Sequence, residues 1–314
     1  MFRDLSPETR DNDLWRGPEA PPYAAREDNA MKRRFLIAPA VVGGLLAFQA
    51  AALGAQGGAG APPAGSHVGT LLASGGLMGL VGVAYVVAWK RRSRVALRWF
   101  WAGAGIWTVG VALKILAALL LNKPVLRGME HLLPRVGYWI VGSVYIGLLT
   151  GIFEIGVTFL AARKWRSLAG SCDRALAVGI GAGAFEAMLL GVAGLATLAV
   201  LASHSPAEGQ VRAALAAAAA TTPVEWLVGP VERVMAVLCH ASSRALVLMS
   251  VATGRRAFFW YGFLLMTGLD AVAGAAHITG RVGRINLWWV ELAVLPFAIA
   301  SIAVIRWCVR RWPR

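Results

Sequence analysis

The chain has 314 residues, of which 58% are hydrophobic and 15% charged, with a formal net charge of +15, and its mean hydropathy is +0.61. Soluble domains carry about 25% charged residues, so this composition excludes an ordinary soluble globule. The positive charge does not indicate nucleic acid, because the basic residues stand in short clusters at the ends of apolar runs, where they orient helices and meet anionic lipid.

Apolar stretches of roughly 20 residues recur along the chain, the length that crosses a bilayer as a helix. Strict period-2 alternation is absent, which argues against a membrane β-barrel. The expected fold is all-α, a polytopic transmembrane helix bundle.

In chain order, residues 1–30 are polar, with acids and prolines and no apolar period, and read as a disordered extension. The run "MKRRFLIAPAVVGGLLAFQAAALGAQGG" follows from Met31. A basic start, an apolar centre and small residues near Ala52 to Ala55 make residues 31–55 a signal peptide, or an uncleaved first helix. Met31 is then a second candidate for the start of translation. Spans are expected over about 68–89, 99–121, 137–161, 175–202, 224–253, 258–279 and 287–306. That makes seven, or eight with an uncleaved first helix, in a domain of residues 68–306 followed by a basic tail over 307–314.

Basic residues alternate in density between successive loops. Lys90, Arg91, Arg92, Arg94, Arg98, Arg163, Lys164, Arg166, Arg174, Arg255, Arg256, Arg306, Arg310, Arg311 and Arg314 fall on one side, and Lys123, Arg127, Arg135, Arg212, Arg281 and Arg284 on the other. The positive-inside rule puts the richer side, with the C-terminus, in the cytoplasm. The expected location is the plasma (inner) membrane of a bacterium. Tryptophans such as Trp89, Trp99, Trp139, Trp165 and Trp288 sit near span ends, as an interfacial belt requires. "AALAAAAATT" at 213–222 reads as a short helix on the outer surface.

Ionisable groups inside a bilayer are costly and usually mark a site or pathway. This chain places Lys114, Glu154, Glu186, Glu232, Arg233, His240, Arg244, Asp270 and His277 within its spans. Lys114 and His277 lie near expected span ends, where snorkelling accounts for them. Glu232, Ala236 and His240 follow at four-residue steps and share a helix face. Mutual pairing, of Glu232 with Arg233 or Glu186 with Arg244, would neutralise these groups without any reaction. The glycines of "GIGAGAF" follow no strand, so they suit close helix approach rather than phosphate binding.

Motifs narrow the chemistry. HExxH is absent, and only one intramembrane aspartate is present where an aspartyl protease needs two. Ser242, Ser243 and Ser250 lie close to His240 in sequence, yet nothing marks one as a nucleophile. Cys239 beside His240 suits a small buried residue better than half of a metal site. What remains is a carboxylate with a histidine, able to activate water beside a peptide bond.

The order "GIFEIG", "GIGAGAFEA", "VERVMAVLCHASS" and "LLMTGLDAVAG" resembles the YhfC-like family of intramembrane peptidases, distantly similar to CAAX-prenyl-protease-like glutamic membrane proteases. The resemblance implies a glutamate-activated water, with Glu154, Glu186, Glu232, Arg233, His240 and Asp270 at the catalytic site. The family pattern has a second Glu where this chain has Ile155, and histidines where it has Ala182 and Met266. Fewer donors and bases remain, and such losses commonly reduce rates by orders of magnitude.

Three readings follow. The first is an endopeptidase cutting membrane-protein or peptide substrates in or near the bilayer, with Glu154 as base and His240 assisting proton transfer. The second is a non-catalytic relative that binds membrane segments or partner proteins, and the third a small-solute or proton transporter. No cofactor is expected. A metal at His240 with carboxylates would have a thin donor set for zinc, which favours nitrogen and sulfur.

Overall fold

The structure, a computed structural model, describes residues 66–202, 206–280 and 284–313. The expected extension over 1–30 and the signal-like segment over 31–55 lie outside the described residues. Among those described there is no strand, and seven helical spans are long and apolar enough to cross a membrane. The chain is a polytopic helix bundle.

The spans begin with α1 (Ser66–Ser93) and α2 (Arg98–Leu132). The third is composite: α3 (Arg135–Thr150) runs through a π-helical turn, Gly151–Ile155, into α4 (Gly156–Lys164). Next come α5 (Cys172–Ala202) and a shorter helix, α6 (Pro206–Thr221), which packs against α5 and takes in the alanine-rich run. Three spans complete the bundle: α7 (Val228–Thr253), α8 (Arg256–Ile278) and α9 (Trp288–Arg311).

Helix ends follow local chemistry. Lys90, Arg91 and Arg92 crowd the last turn of α1, favourable for the negative end of its dipole. Gly254, with φ of 73°, closes α7 in the left-handed conformation that stops a helix and is cheap only for glycine.

The helix α7 is the axis of the bundle. In its span 83% of the most apolar stretch is buried, against at most 39% in any other span. It touches α1, α4, α5, α8 and α9. The outer helices turn Leu80, Leu119, Leu120, Leu160 and Ile299 outward. Such a surface suits hydrocarbon, since lipid tails are as apolar as leucine.

Close packing around α5 comes from glycine, as "GIGAGAF" suggests. A Cβ at Gly179 would come within 2.6 Å of the Ala241 Cα, and one at Gly183 within 2.9 Å of the Val237 Cα. On the other side, a Cβ at Gly181 would overlap the Phe100 carbonyl of α2. The helix α5 is thus clamped between α2 and α7, and α7 carries Arg233 and His240, the partners of Glu186 on α5.

Candidate functional site

The intramembrane charges form one connected network, built from the middle of the bundle. Glu154 lies in the π-helical turn, where one extra residue per turn shifts the register of the side chains that follow. It is 2% exposed. A Cβ at Gly110 of α2 would come within 3.0 Å of the Glu154 Cα, so glycine lets α2 approach this turn. One helical turn beyond Gly110, Lys114 reaches Glu154 Oε1 at 2.6 Å. The Lys114 ammonium also donates to Thr150 Oγ1 at 3.2 Å and lies 3.7 Å from Asp270 Oδ2. Thr150 in turn donates to Asp270.

The second oxygen of Glu154 faces α7, where Arg244 Nη2 donates to Oε2 at 3.1 Å. Arg244 is fully buried. Its Nη1 lies 2.6 Å from His240 Nδ1. A guanidinium has only donors, so Nδ1 must accept and the imidazole proton resides on Nε2. That Nε2 lies 2.7 Å from Glu186 Oε2 and donates to it. His240 is therefore the neutral Nε2–H tautomer. Glu186 Oε1 accepts from Arg233 Nη1 at 2.8 Å, and Arg233 Nη2 donates to Glu232 Oε1 at 2.5 Å.

The path is continuous: Glu232, Arg233, Glu186, His240, Arg244, Glu154, Lys114, Thr150, Asp270. All six residues expected at the site belong to it. Glu154, Glu186 and His240 form its centre, Asp270 closes one end, and Glu232 reaches the centre only through Arg233. The geometry also corrects two expectations. Lys114 does not snorkel: α2 runs on to Leu132, which puts Lys114 near the helix midpoint facing inward. Arg244 pairs with Glu154 and His240, and Arg233 takes the place expected for it beside Glu186. His277 is exposed, in keeping with its place near a helix end.

The network also holds residues that the motifs alone missed. Arg244 follows His240 by four, continuing the Glu232–Ala236–His240 face, and that spacing was a readable signal. Thr150 stands four before Glu154 in the same way. Glu291, on α9, is 7% exposed, with Oε2 lacking a hydrogen-bond partner among the described residues. It lies beside the network rather than in it, near enough to Glu232 and Arg233 to feel both charges. Only its position one turn into an apolar span hinted at this.

The hydroxyls and thiol near His240 are occupied elsewhere. Ser242 Oγ bonds Ser301 Oγ at 2.8 Å, Ser243 Oγ donates to the His240 carbonyl at 3.3 Å, and Ser250 Oγ to the Val247 carbonyl at 2.7 Å. None reaches the imidazole, so the serines stay outside the chemistry. Cys239 is buried in an apolar cluster with Ile155 and Met266. Those two stand where the resembled pattern has an acid and a histidine, and both are buried in this cluster. Ala182 sits in a second apolar cluster with Trp107, Val111 and Leu189.

The donor set does not fit a metal. Among the described residues no three His, Cys, Asp or Glu side chains gather as a ligand group. Both His240 nitrogens and all four oxygens of Glu154 and Glu186 already face partners within 3.1 Å. Lys114, Arg233 and Arg244 already occupy the oxygens of Glu154 and Oε1 of Glu186, so a divalent ion would have to displace them.

The profile of the YhfC intramembrane metalloprotease family matches residues 77–294. A protein of Bacillus subtilis (strain 168) described as "Uncharacterized membrane protein YhfC" is 27% identical over 256 residues, 71% of this chain and 95% of that protein. No solved structure matches the chain. The matched segment contains every member of the charge network, and on that ground the chain belongs to the YhfC intramembrane metalloprotease family.

Proposed function

We propose that the protein is an intramembrane endopeptidase whose catalytic centre is the network around Glu154. The observation that carries this reading is the gathering of Glu154, Glu186 and His240 on three different spans into one hydrogen-bonded group buried in the bundle. An array of ionisable side chains at this depth is costly unless it serves a purpose, and family membership supplies the class of reaction.

In this reading Glu154 exchanges one of its cation partners for water. It takes the water's proton as the oxygen attacks the peptide carbonyl, then returns it to the leaving amine as the C–N bond breaks. His240, held by Arg244 and Glu186, is placed to move protons along the network. Among the described residues Arg233 and Arg244 each keep a buried Nε–H without a partner, and such donors stabilise developing oxyanions. The metal in the family's description has no ligand set among the described residues. The substrate is a membrane protein or peptide presented within the bilayer. The basic loops support insertion in the inner membrane with the C-terminus in the cytoplasm.

One observation favours a non-hydrolytic relative that binds such segments without cutting them: both Glu154 oxygens are already held by cations. Comparing new membrane-protein termini in cells expressing equal amounts of wild type and Glu154→Gln separates the two. Cleavages present only with wild type support the peptidase. Identical termini across a well-sampled membrane proteome support the binder.

A further inference from the structure

A second polar feature lies away from the charge network, where α4 ends and α7 turns into α8. A cavity of about 520 Å³ opens there, with Arg163, Arg166 and Arg256 at its margin and Phe159, Phe259 and Trp260 in its wall. No carboxylate lines it, and among the described residues none of the three arginines has an acidic partner. The side chain of Arg163 is held over the Phe159 ring, 5.8 Å from its centroid. Gly254 forms the tight turn at the cavity's edge.

The aromatic wall continues toward the bundle interior. The Phe159 and Phe259 rings lie 4.8 Å apart, and Phe263, one turn deeper on α8, lies 5.9 Å from Phe259 and 5.4 Å from Trp260. The feature is therefore amphipathic in section: three guanidiniums at the level where a span ends, and an apolar face leading into the membrane. Guanidinium is the side chain best shaped to take phosphate oxygens in pairs. Basic pockets between transmembrane helices at the cytoplasmic side bind anionic headgroups for the same reason. A free anion would use the arginines and leave the aromatic face idle, whereas a phospholipid uses both.

We propose that this cavity is a binding site for a phosphate-bearing anion, supplied by the headgroup of an anionic phospholipid whose acyl chain runs along Phe159, Phe259 and Phe263. The site is independent of the peptidase reading and stands or falls separately.

The test uses the full chain purified in an uncharged detergent, with bound lipid counted by native mass spectrometry. Phosphatidylglycerol is expected to bind at a defined stoichiometry, with phosphatidylcholine and glycerol phosphate far weaker. The triple variant Arg163→Gln/Arg166→Gln/Arg256→Gln should lose about 100-fold in phosphatidylglycerol affinity, from roughly fivefold per arginine. A control, Lys90→Gln/Arg91→Gln/Arg310→Gln, removes the same charge at the same end of the bundle without touching the cavity and should bind as wild type. Val251→Trp fills the cavity without changing charge and should weaken binding too, which keeps the test valid if the triple variant folds poorly. Equal binding of glycerol phosphate would keep the phosphate site and overturn the lipid as its source. Equal losses in the cavity and control triples, or none in either, would overturn the site.

Discussion

Lys114 shows how far a single residue can change the reading of this chain. In sequence it is one lysine in "ALKILAALL", and a long flexible ammonium near a span end normally reaches for the interface. In the bundle it neutralises Glu154 and holds Thr150 and Asp270 in place. Without Lys114, Glu154 keeps Arg244 but Asp270 has no cation beside it, so Lys114→Met should destabilise by about 1–3 kcal/mol. Thermal unfolding in detergent measures this, with His277→Ala as the silent comparison. Adding Asp270→Asn to Lys114→Met should recover part of the loss, because the carboxylate left without a cation is then gone. A purely additive double variant would show that the two residues do not couple. His240 carries the same lesson: its tautomer follows from Arg244 alone, and the partner was legible in the four-residue spacing once Arg244 was placed on that face.

Among the elements, the glycines and the π-helical turn decide where charges meet. "GIGAGAF" was legible as a close-approach surface because small residues at short spacing have few other uses in lipid. Its consequence was not, since sequence alone does not say which helix comes near. The structure answers with α7: a Cβ at Gly183 would press to 3.0 Å on the His240 Cβ, three residues before Glu186. Gly183→Leu should push α5 away from α7, separate Glu186 from His240 and lower stability by about 1–3 kcal/mol or more. Gly194→Leu is the matched control on the same helix, because its Cβ would meet only Met78 at 3.7 Å. Similar unfolding temperatures for the two variants would refute the role given to Gly183. The π-helical turn had no signature in "GIFEIG", since one extra backbone residue is invisible to apolar periodicity. It is nevertheless what directs Glu154 between α2 and α7.

For the whole molecule, composition and span length fixed the class and all seven described spans, because a bilayer imposes the same length on every crossing. The basic loops imply an orientation, and the motifs named six residues that lie in the charge network. What stayed hidden was pairing across helices, which depends on rotations that no single span encodes. The family description implies a metal, while the network here satisfies its own carboxylates with Lys114, Arg233 and Arg244. Ile155 and Met266 belong to one apolar cluster where the resembled pattern has polar groups. These charges form a closed ionic centre with no seat for an ion among the described residues. Elemental mass spectrometry of the purified full chain, prepared with added zinc and then dialysed, tests this most directly, beside His240→Ala treated identically. Bound metal is expected far below one ion per chain, with no difference between the two proteins. One tightly held ion in wild type, lost in His240→Ala, would contradict the closed centre.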